Sequence, residues 1–389
     1  MPWGEPAPAH APRHGIGGFL ELQCMKKISA VFIGESNTVM RPGYVSATVQ
    51  ACRSHGIQLE LENLAVGGTN SVCGLQEVKL FRDWSTVDML VIAYALNDAA
   101  FYPEDRRALR VWSRTYEGII RHVLNENPDL RIVNMVLPIR NDVATFAVPV
   151  LYSAVGYMAD WYGLSFLNLA KEVVCRYGRG VLLDPVFYAD MAHFSRPLAT
   201  GIVGNILADH IDQEMKKPGN HPLPPAMDEG NYSNARVVLL ADVPGATSVL
   251  FSNSRFSAQA TVMKKESLSF DLEAGIVLGV AYVCHPQTTD IVFRYGGKEQ
   301  CMSMMKSGVD DGAFPFLRAM LNCDSLYGPF VHSDPKGKIR YALGADLHDR
   351  ERSVLTHRNS IANPCRTADA AIALTGILHT GTMTNLRLV

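Results

Sequence analysis

The chain has 389 residues, 48% of them hydrophobic and 19% charged, with a formal net charge of −2. That length exceeds one ordinary domain and that composition excludes disorder over most of the chain. No clustered basic run with interleaved aromatics supports a nucleic-acid partner, and no apolar run reaches the roughly eighteen residues of a membrane span.

The eight cysteines stand singly, without a CxxC, so free thiols, no metal and a reducing, cytoplasmic location are expected. Residues 1–24 carry four prolines and lack the apolar core behind a basic start that marks a secretory signal, and they are expected to be a disordered extension. Residues 28–38, Ile-Ser-Ala-Val-Phe-Ile-Gly-Glu-Ser-Asn-Thr, then begin as an apolar, β-branched run that stops at Gly34. Apolar on both faces, the run reads as a buried parallel strand, and it delivers Ser36 to the carboxyl end, where ligands of open α/β sheets sit.

The spacing of Val45, Val49, Ala51 and Cys52 predicts a helix over 45–56 with a glycine stop, and 59–66 reads as a second strand closed by Gly67 and Gly68. A short helix is expected over 71–81. Residues 88–96 read as the clearest buried strand, ending at Asn97 and Asp98. The 3.6-residue rhythm of Leu109, Trp112, Tyr116, Ile119, Ile120 and Val123 predicts a helix over 103–126 that opens on Pro103. Strands over 131–137 and 164–169 flank a helix over 143–162, and an amphipathic helix over 196–216 closes this half. Such alternation argues for an α/β fold, a parallel sheet with helices on both faces and right-handed crossovers.

Four prolines and two glycines in 217–230 exclude a regular element. A linker is expected there, between a catalytic domain over 25–216 and a β-rich accessory domain over 231–389. Short β-type runs at 235–240, 248–252, 259–263, 267–272, 276–283 and 289–295 predict a mostly antiparallel sandwich, while 300–389 shows no readable pattern. The aromatics Phe251, Phe256, Tyr282, Phe293, Tyr295, Phe314, Phe316 and Tyr327 form no recognisable platform. A structural role for the second domain, as a cover or an oligomer contact, is therefore favoured over polysaccharide binding.

A serine hydroxyl needs a base to take its proton and a third group to hold that base. Asp190 and His193, in Asp-Met-Ala-His, are spaced to supply both from one tight turn, with Nε2 turned towards Ser36. An acyl-transfer site also needs donors for the developing oxyanion. Gly68, the Asn97 amide and the Ser36 N–H are the candidates, with Gly67 the competitor to Gly68.

Together these segments resemble the four ordered blocks of the SGNH (GDSL) hydrolase family: Gly34-Glu35-Ser36-Asn37-Thr38, Asn63 to Gly68, Ala95-Leu96-Asn97-Asp98 and Asp190-Met191-Ala192-His193. The resemblance covers residues 28–216, and alignment from Asn63 favours Gly68 over Gly67. It implies a flavodoxin-like sheet, ester chemistry through an acyl-enzyme on Ser36, and no cofactor. Glu35 stands where the family usually has Asp, and Ala95 where it usually has Gly. Neither change replaces a catalytic atom, so both are expected to bear on loop geometry and substrate choice. The expected substrate is a small-molecule or carbohydrate ester with a short acyl chain, and the segment Arg140 to Tyr162, by its place after the fourth strand, is expected to line the acyl site. The alternatives are an O-acyltransferase delivering to a sugar hydroxyl, and a flavodoxin-like, non-catalytic module in which Ser36, Asn37 and Thr38 cradle a phosphate or flavin at the end of the first strand. The Gly-x-Ser-x-Gly elbow and the dinucleotide glycine fingerprint are both absent.

Overall fold

The computed structural model describes residues 25–102, 106–145, 148–218, 222–241, 243–323, 337–348 and 363–389. The extension expected at 1–24, with Cys24, as well as Pro103 and Tyr327, lies outside the described residues. Seven cysteines within them are free thiols.

The first half is a five-stranded parallel sheet in the order β2-β1-β3-β4-β5. Its strands are β1 (Lys26–Gly34), β2 (Ile57–Asn63), β3 (Met89–Ala93), β4 (Arg131–Val136) and β5 (Ser165–Asn168). Alternating side chains of the central strands feed two cores. Ile28, Ala30 and Phe32 of β1, with Met89, Val91 and Ala93 of β3, pack beneath the helices Tyr44–Cys52 and Leu198–Glu214. Val31, Ile33, Leu90 and Ile92 pack on the opposite face against the helices Ser71–Leu80, Arg106–Glu126 and Val150–Trp161. This is why both strands read as continuous apolar runs. The chain leaves β1 for β2 on one side and returns to β3 on the other, so a crevice opens at the carboxyl ends of β1 and β3.

Several expected elements differ in extent. The second strand starts at Ile57 and ends at Asn63. The helix expected over 45–56 is Tyr44–Cys52 followed by a 3₁₀ turn to His55, with Gly56 left-handed at φ +69°. The third strand stops at Ala93, and Ala95–Phe101 is helical. Ala, Leu and Asn at those positions suit a helix as well as a strand end, and Asp98 N–H bonds the Tyr94 carbonyl. The helix expected over 143–162 is two, Arg140–Thr145 and Val150–Trp161, because Pro149 caps the second rather than continuing the first. The helices Leu169–Tyr177 and Arg179–Leu183 were not anticipated.

Two antiparallel sheets form the second half. One joins β13 (Leu317–Asn322), β10 (Val277–Cys284), β15 (Ile372–His379), β8 (Ser257–Met263) and β7 (Thr247–Ser252), with β6 (Arg236–Leu239) also on β15. The other joins β12 (Lys298–Met302), β11 (Ile291–Tyr295), β14 (Lys338–Ala345), β9 (Ser267–Glu273) and β16 (Thr382–Leu388). Val280, Leu374, Phe270, Phe293 and Leu343 meet between them, so the unit is a sandwich with its own core.

The sandwich does not stand apart from the parallel sheet. Ile276, Leu278, Met320 and Leu378 join the same core as Val72 and Leu75 of the helix Ser71–Leu80, which is why that helix is buried on nearly every side. At Gly279 of β10 an added Cβ would lie 2.4 Å from Met320 Cε and 3.1 Å from Val72 Cγ1, so a side chain there would have to displace the Met320 tip and press on Val72. The Arg318 guanidinium pairs with Glu77 across the same seam. Further along the chain, Glu117 accepts the Met227 and Asp228 N–H groups at 2.6 and 3.0 Å, and Arg114 pairs with Asp228 at 2.9 Å. No described helix is long and apolar enough to cross a membrane.

Candidate active site

Ser36 opens the four-residue helix Ser36–Val39 directly after β1, with Glu35 as its N-cap. Its N–H therefore belongs to a first turn, which has no intrahelical acceptor. The turn Asp190–His193 comes to it from 157 residues away in sequence. His193 Nε2 lies 2.7 Å from Ser36 Oγ, and Nδ1 donates to Asp190 Oδ2 at 2.7 Å. Asp190 Oδ1 accepts the N–H groups of Ala192 and His193 at 2.8 and 2.9 Å, so one carboxylate both shapes the turn and orients the ring. Burial alone would raise the Asp190 carboxyl, but these N–H bonds and His193 outweigh it and hold it below the usual range.

The loop after β2 brings Gly67 and Gly68 to the same place. An added Cβ at Gly67 would lie 3.7 Å from Ser36 Cα, while Gly68 is left-handed at φ +66° with open space beside it. Both line the cavity, as do Ser36, Asn97 and His193. Asn97 sits in the first turns of the helix Ala95–Phe101 rather than at a strand end, and donates to the Thr69 carbonyl at 2.7 Å. Its amide carries a second N–H for a ligand.

Three residues to which the sequence assigned no catalytic role brace these loops. Asn37 donates to the Ala192 carbonyl at 3.0 Å and accepts the Phe194 N–H at 3.2 Å, tying the serine turn to the histidine turn. Asn63 donates to the Thr38 carbonyl at 2.9 Å and accepts the Ala65 N–H at 3.1 Å. Asp98 accepts the Ser71 N–H and the Trp112 indole N–H, each at 2.9 Å, and its burial pushes the carboxyl up to about 7. All three lie in or beside the four motif blocks, which was the available signal. Glu35 is a larger departure from expectation. Fully buried, it accepts the Ser36 hydroxyl at 2.9 Å and so touches the reactive oxygen directly.

The cavity measures about 1220 Å³ and is walled by both halves of the chain. From the sandwich, Arg255, Phe256, Lys306, Phe314 and Phe316 line it. Phe316 meets Phe251 and Phe256 edge-on at 5.6 and 5.7 Å. Of the aromatics, Tyr282, Phe293 and Tyr295 are buried core, while Phe256, Phe314 and Phe316 line the cavity. The expectation for Arg140–Tyr162 is corrected, since none of its described residues lines the cavity. Leu151, Val155 and Met158 turn instead into the sheet core. Among the described residues, one group has metal-ligand spacing: Asp290, Cys301 and Asp346, in the sandwich. Arg366 already pairs with both carboxylates there.

Neither a protein-family model nor a curated protein sequence matches the chain. Among solved structures, its fold is similar to that of a two-domain esterase (CEX) active on acetylated mannans, with a TM-score of 0.61 at 12% identity over 93% of this chain and 94% of that one. The same esterase co-crystallized with mannopentaose matches with a TM-score of 0.59 at 11% identity, covering 92% of each chain. The likeness is one of fold, and it spans the parallel sheet and the sandwich together.

Proposed function

We propose that the chain is a serine hydrolase of the SGNH type that cleaves acyl esters of a carbohydrate. The observation that carries this reading is the unbroken hydrogen-bonded chain from Ser36 Oγ through His193 to Asp190, standing open to a large cavity. In this reading Ser36 Oγ attacks the ester carbonyl carbon while His193 Nε2 takes its proton and Asp190 holds the Nδ1 proton in place. The N–H groups of Ser36 and Gly68 and the second N–H of Asn97 receive the charge that develops on the carbonyl oxygen. Collapse expels the alcohol, protonated by His193, and leaves the acyl group on Ser36. Water activated by His193 then returns the serine and releases the acid.

The sugar part of the proposal rests on two supports. Phe256, Phe314 and Phe316 give the sandwich wall of the cavity apolar faces suited to a sugar ring. The two-domain fold is also that of an esterase active on acetylated mannans. Short acyl chains fit a site whose reactive serine is half-buried against the loops after β2 and β3.

The test is turnover of p-nitrophenyl acetate and butyrate by the full chain beside Ser36→Ala and His193→Ala variants shown to be folded by circular dichroism. Loss of about 10³-fold or more in kcat is expected in both variants. A folded wild type without turnover, or a Ser36→Ala variant as fast as wild type, overturns the reading.

A further inference from the structure

We propose that Glu35 is a second general base for the Ser36 hydroxyl, alongside His193. This rests on the reading of Ser36 as a nucleophile. Ser36 has one hydroxyl hydrogen and two acceptors within proton-transfer distance, His193 Nε2 at 2.7 Å and Glu35 Oε2 at 2.9 Å. When that hydrogen points to Glu35, the imidazole must donate to Oγ. When it points to His193, the contact with Glu35 is attractive only if Glu35 holds a proton. The three groups therefore share their protons as one unit.

Capping alone does not explain the residue. Helix N-caps favour Ser, Thr, Asp and Asn, whose short side chains reach the backbone N–H of the next turn. Here the Asn37 N–H is met at 3.0 Å by the same Oε2 that meets Ser36 Oγ, and the extra methylene of Glu is what lets one oxygen serve both. Among the described residues, no arginine or lysine forms an ion pair with the carboxylate. The groups facing it are His193 across Ser36 and the buried phenols of Tyr44 and Tyr152, from the helices Tyr44–Cys52 and Val150–Trp161. Burial pushes the Glu35 carboxyl up, against the pull of the Asn37 and Ser36 hydrogen bonds and of His193. A carboxylate so raised is a stronger base than an exposed one.

In the Glu35 route the Oγ–C bond forms as the Oγ–H bond breaks, the proton passes to Oε2, and the carbonyl π pair moves to oxygen. Glu35 is sealed behind Ser36, so the departing alkoxide takes its proton from water at the cavity mouth. The route is therefore visible when the imidazole is removed.

The experiment follows labelling of the full chain by an alkyl fluorophosphonate, which forms an Oγ–P bond with loss of fluoride, by intact mass. It is run beside p-nitrophenyl acetate turnover, with Ser36→Ala as the blank. His193→Ala is expected to label measurably, and His193→Ala/Glu35→Gln and His193→Ala/Glu35→Asp about tenfold more slowly or worse. The Asp variant keeps a preferred cap while withdrawing from Oγ, so it remains readable if the amide disturbs the turn. Equal labelling of His193→Ala and both folded double variants overturns the proposal, as does a wild type or a His193→Ala variant that takes no label. Glu35-dependent labelling without ester turnover would sink the ester reading and leave Glu35 as a base. Ester turnover with Glu35-independent labelling would do the reverse.

Discussion

His193 Nε2 stands 2.7 Å from Ser36 Oγ, and the side chain of Asn37, next to the serine, holds the two turns at that separation by bonding Ala192 and Phe194 on either side of the histidine. The carboxyl ends of β1 and β3 place the serine, and backbone hydrogen bonds to Asp190 place the imidazole. A site assembled this way is organised before a ligand arrives, and that is the condition for electrostatic and general-base catalysis.

Asp190→Asn keeps an oxygen for the turn but loses the charge beside Nδ1. Its kcat is expected to fall by about 10²–10⁴-fold with little change in KM. Because the wild-type carboxyl lies below its usual range, it is ionised throughout neutral pH, so the loss should be present at every pH between about 5 and 8. Steady-state kinetics across that range decide it. A loss confined to one limb would contradict the assigned role.

Asp98 makes stability depend on pH in the opposite sense to an ion-paired carboxylate. Its folded value is pushed up to about 7, above the roughly 3.9 of the unfolded chain. The stability it contributes is therefore present below about pH 4 and lost as pH rises to about 7. In Asp98→Asn the decline in Tm over that window should be shallower, although the amide has one oxygen for the two donors, Ser71 N–H and Trp112 Nε1–H, and the variant should be less stable at low pH. Thermal melts from pH 4.5 to 7.5 give the slope directly.

The seam between the halves depends on a charge that is hidden on one side. Glu77 is 6% exposed, and its partner Arg318 comes from β13. Arg318→Ala leaves that carboxylate buried and unpaired, at an expected cost of about 3–5 kcal/mol. Adding Glu77→Gln should recover part of the loss, as read from urea midpoints. An unchanged midpoint in Arg318→Ala would show that water reaches Glu77 without the arginine.

Much of this was legible in the sequence, for reasons that differ from residue to residue. β1 and β3 announce themselves because both faces are buried, and the helix from Arg106 because its apolar stripe repeats over 21 residues. Ser36, Asp190 and His193 could be picked out because the chemistry of a serine nucleophile restricts the residue types at each place. The helical turn at Ala95 was hidden because Ala95 and Leu96 extend an apolar run that suits either state. β12 was hidden because Lys298 and Glu299 interrupt its pattern, with only Cys301 and Met302 fully buried. The aromatic wall from Phe256 to Phe316 could not be read at all. It lines the cavity through the docking of Leu278 and Met320 on the helix Ser71–Leu80, a contact between segments far apart in sequence. Nor could the reach of Glu35, which depends on one methylene and on the way its side chain folds back over the turn.

The central claim is that an acyl group passes through Ser36, and trapping that intermediate tests it most directly. The full chain would be mixed with p-nitrophenyl acetate, quenched in acid within milliseconds, digested and weighed by peptide mass. A single acetyl on the peptide that carries Ser36, absent from the folded Ser36→Ala variant, is the expected result. Ester turnover that persists in Ser36→Ala, with no acetyl on the wild-type Ser36 peptide, would contradict the account.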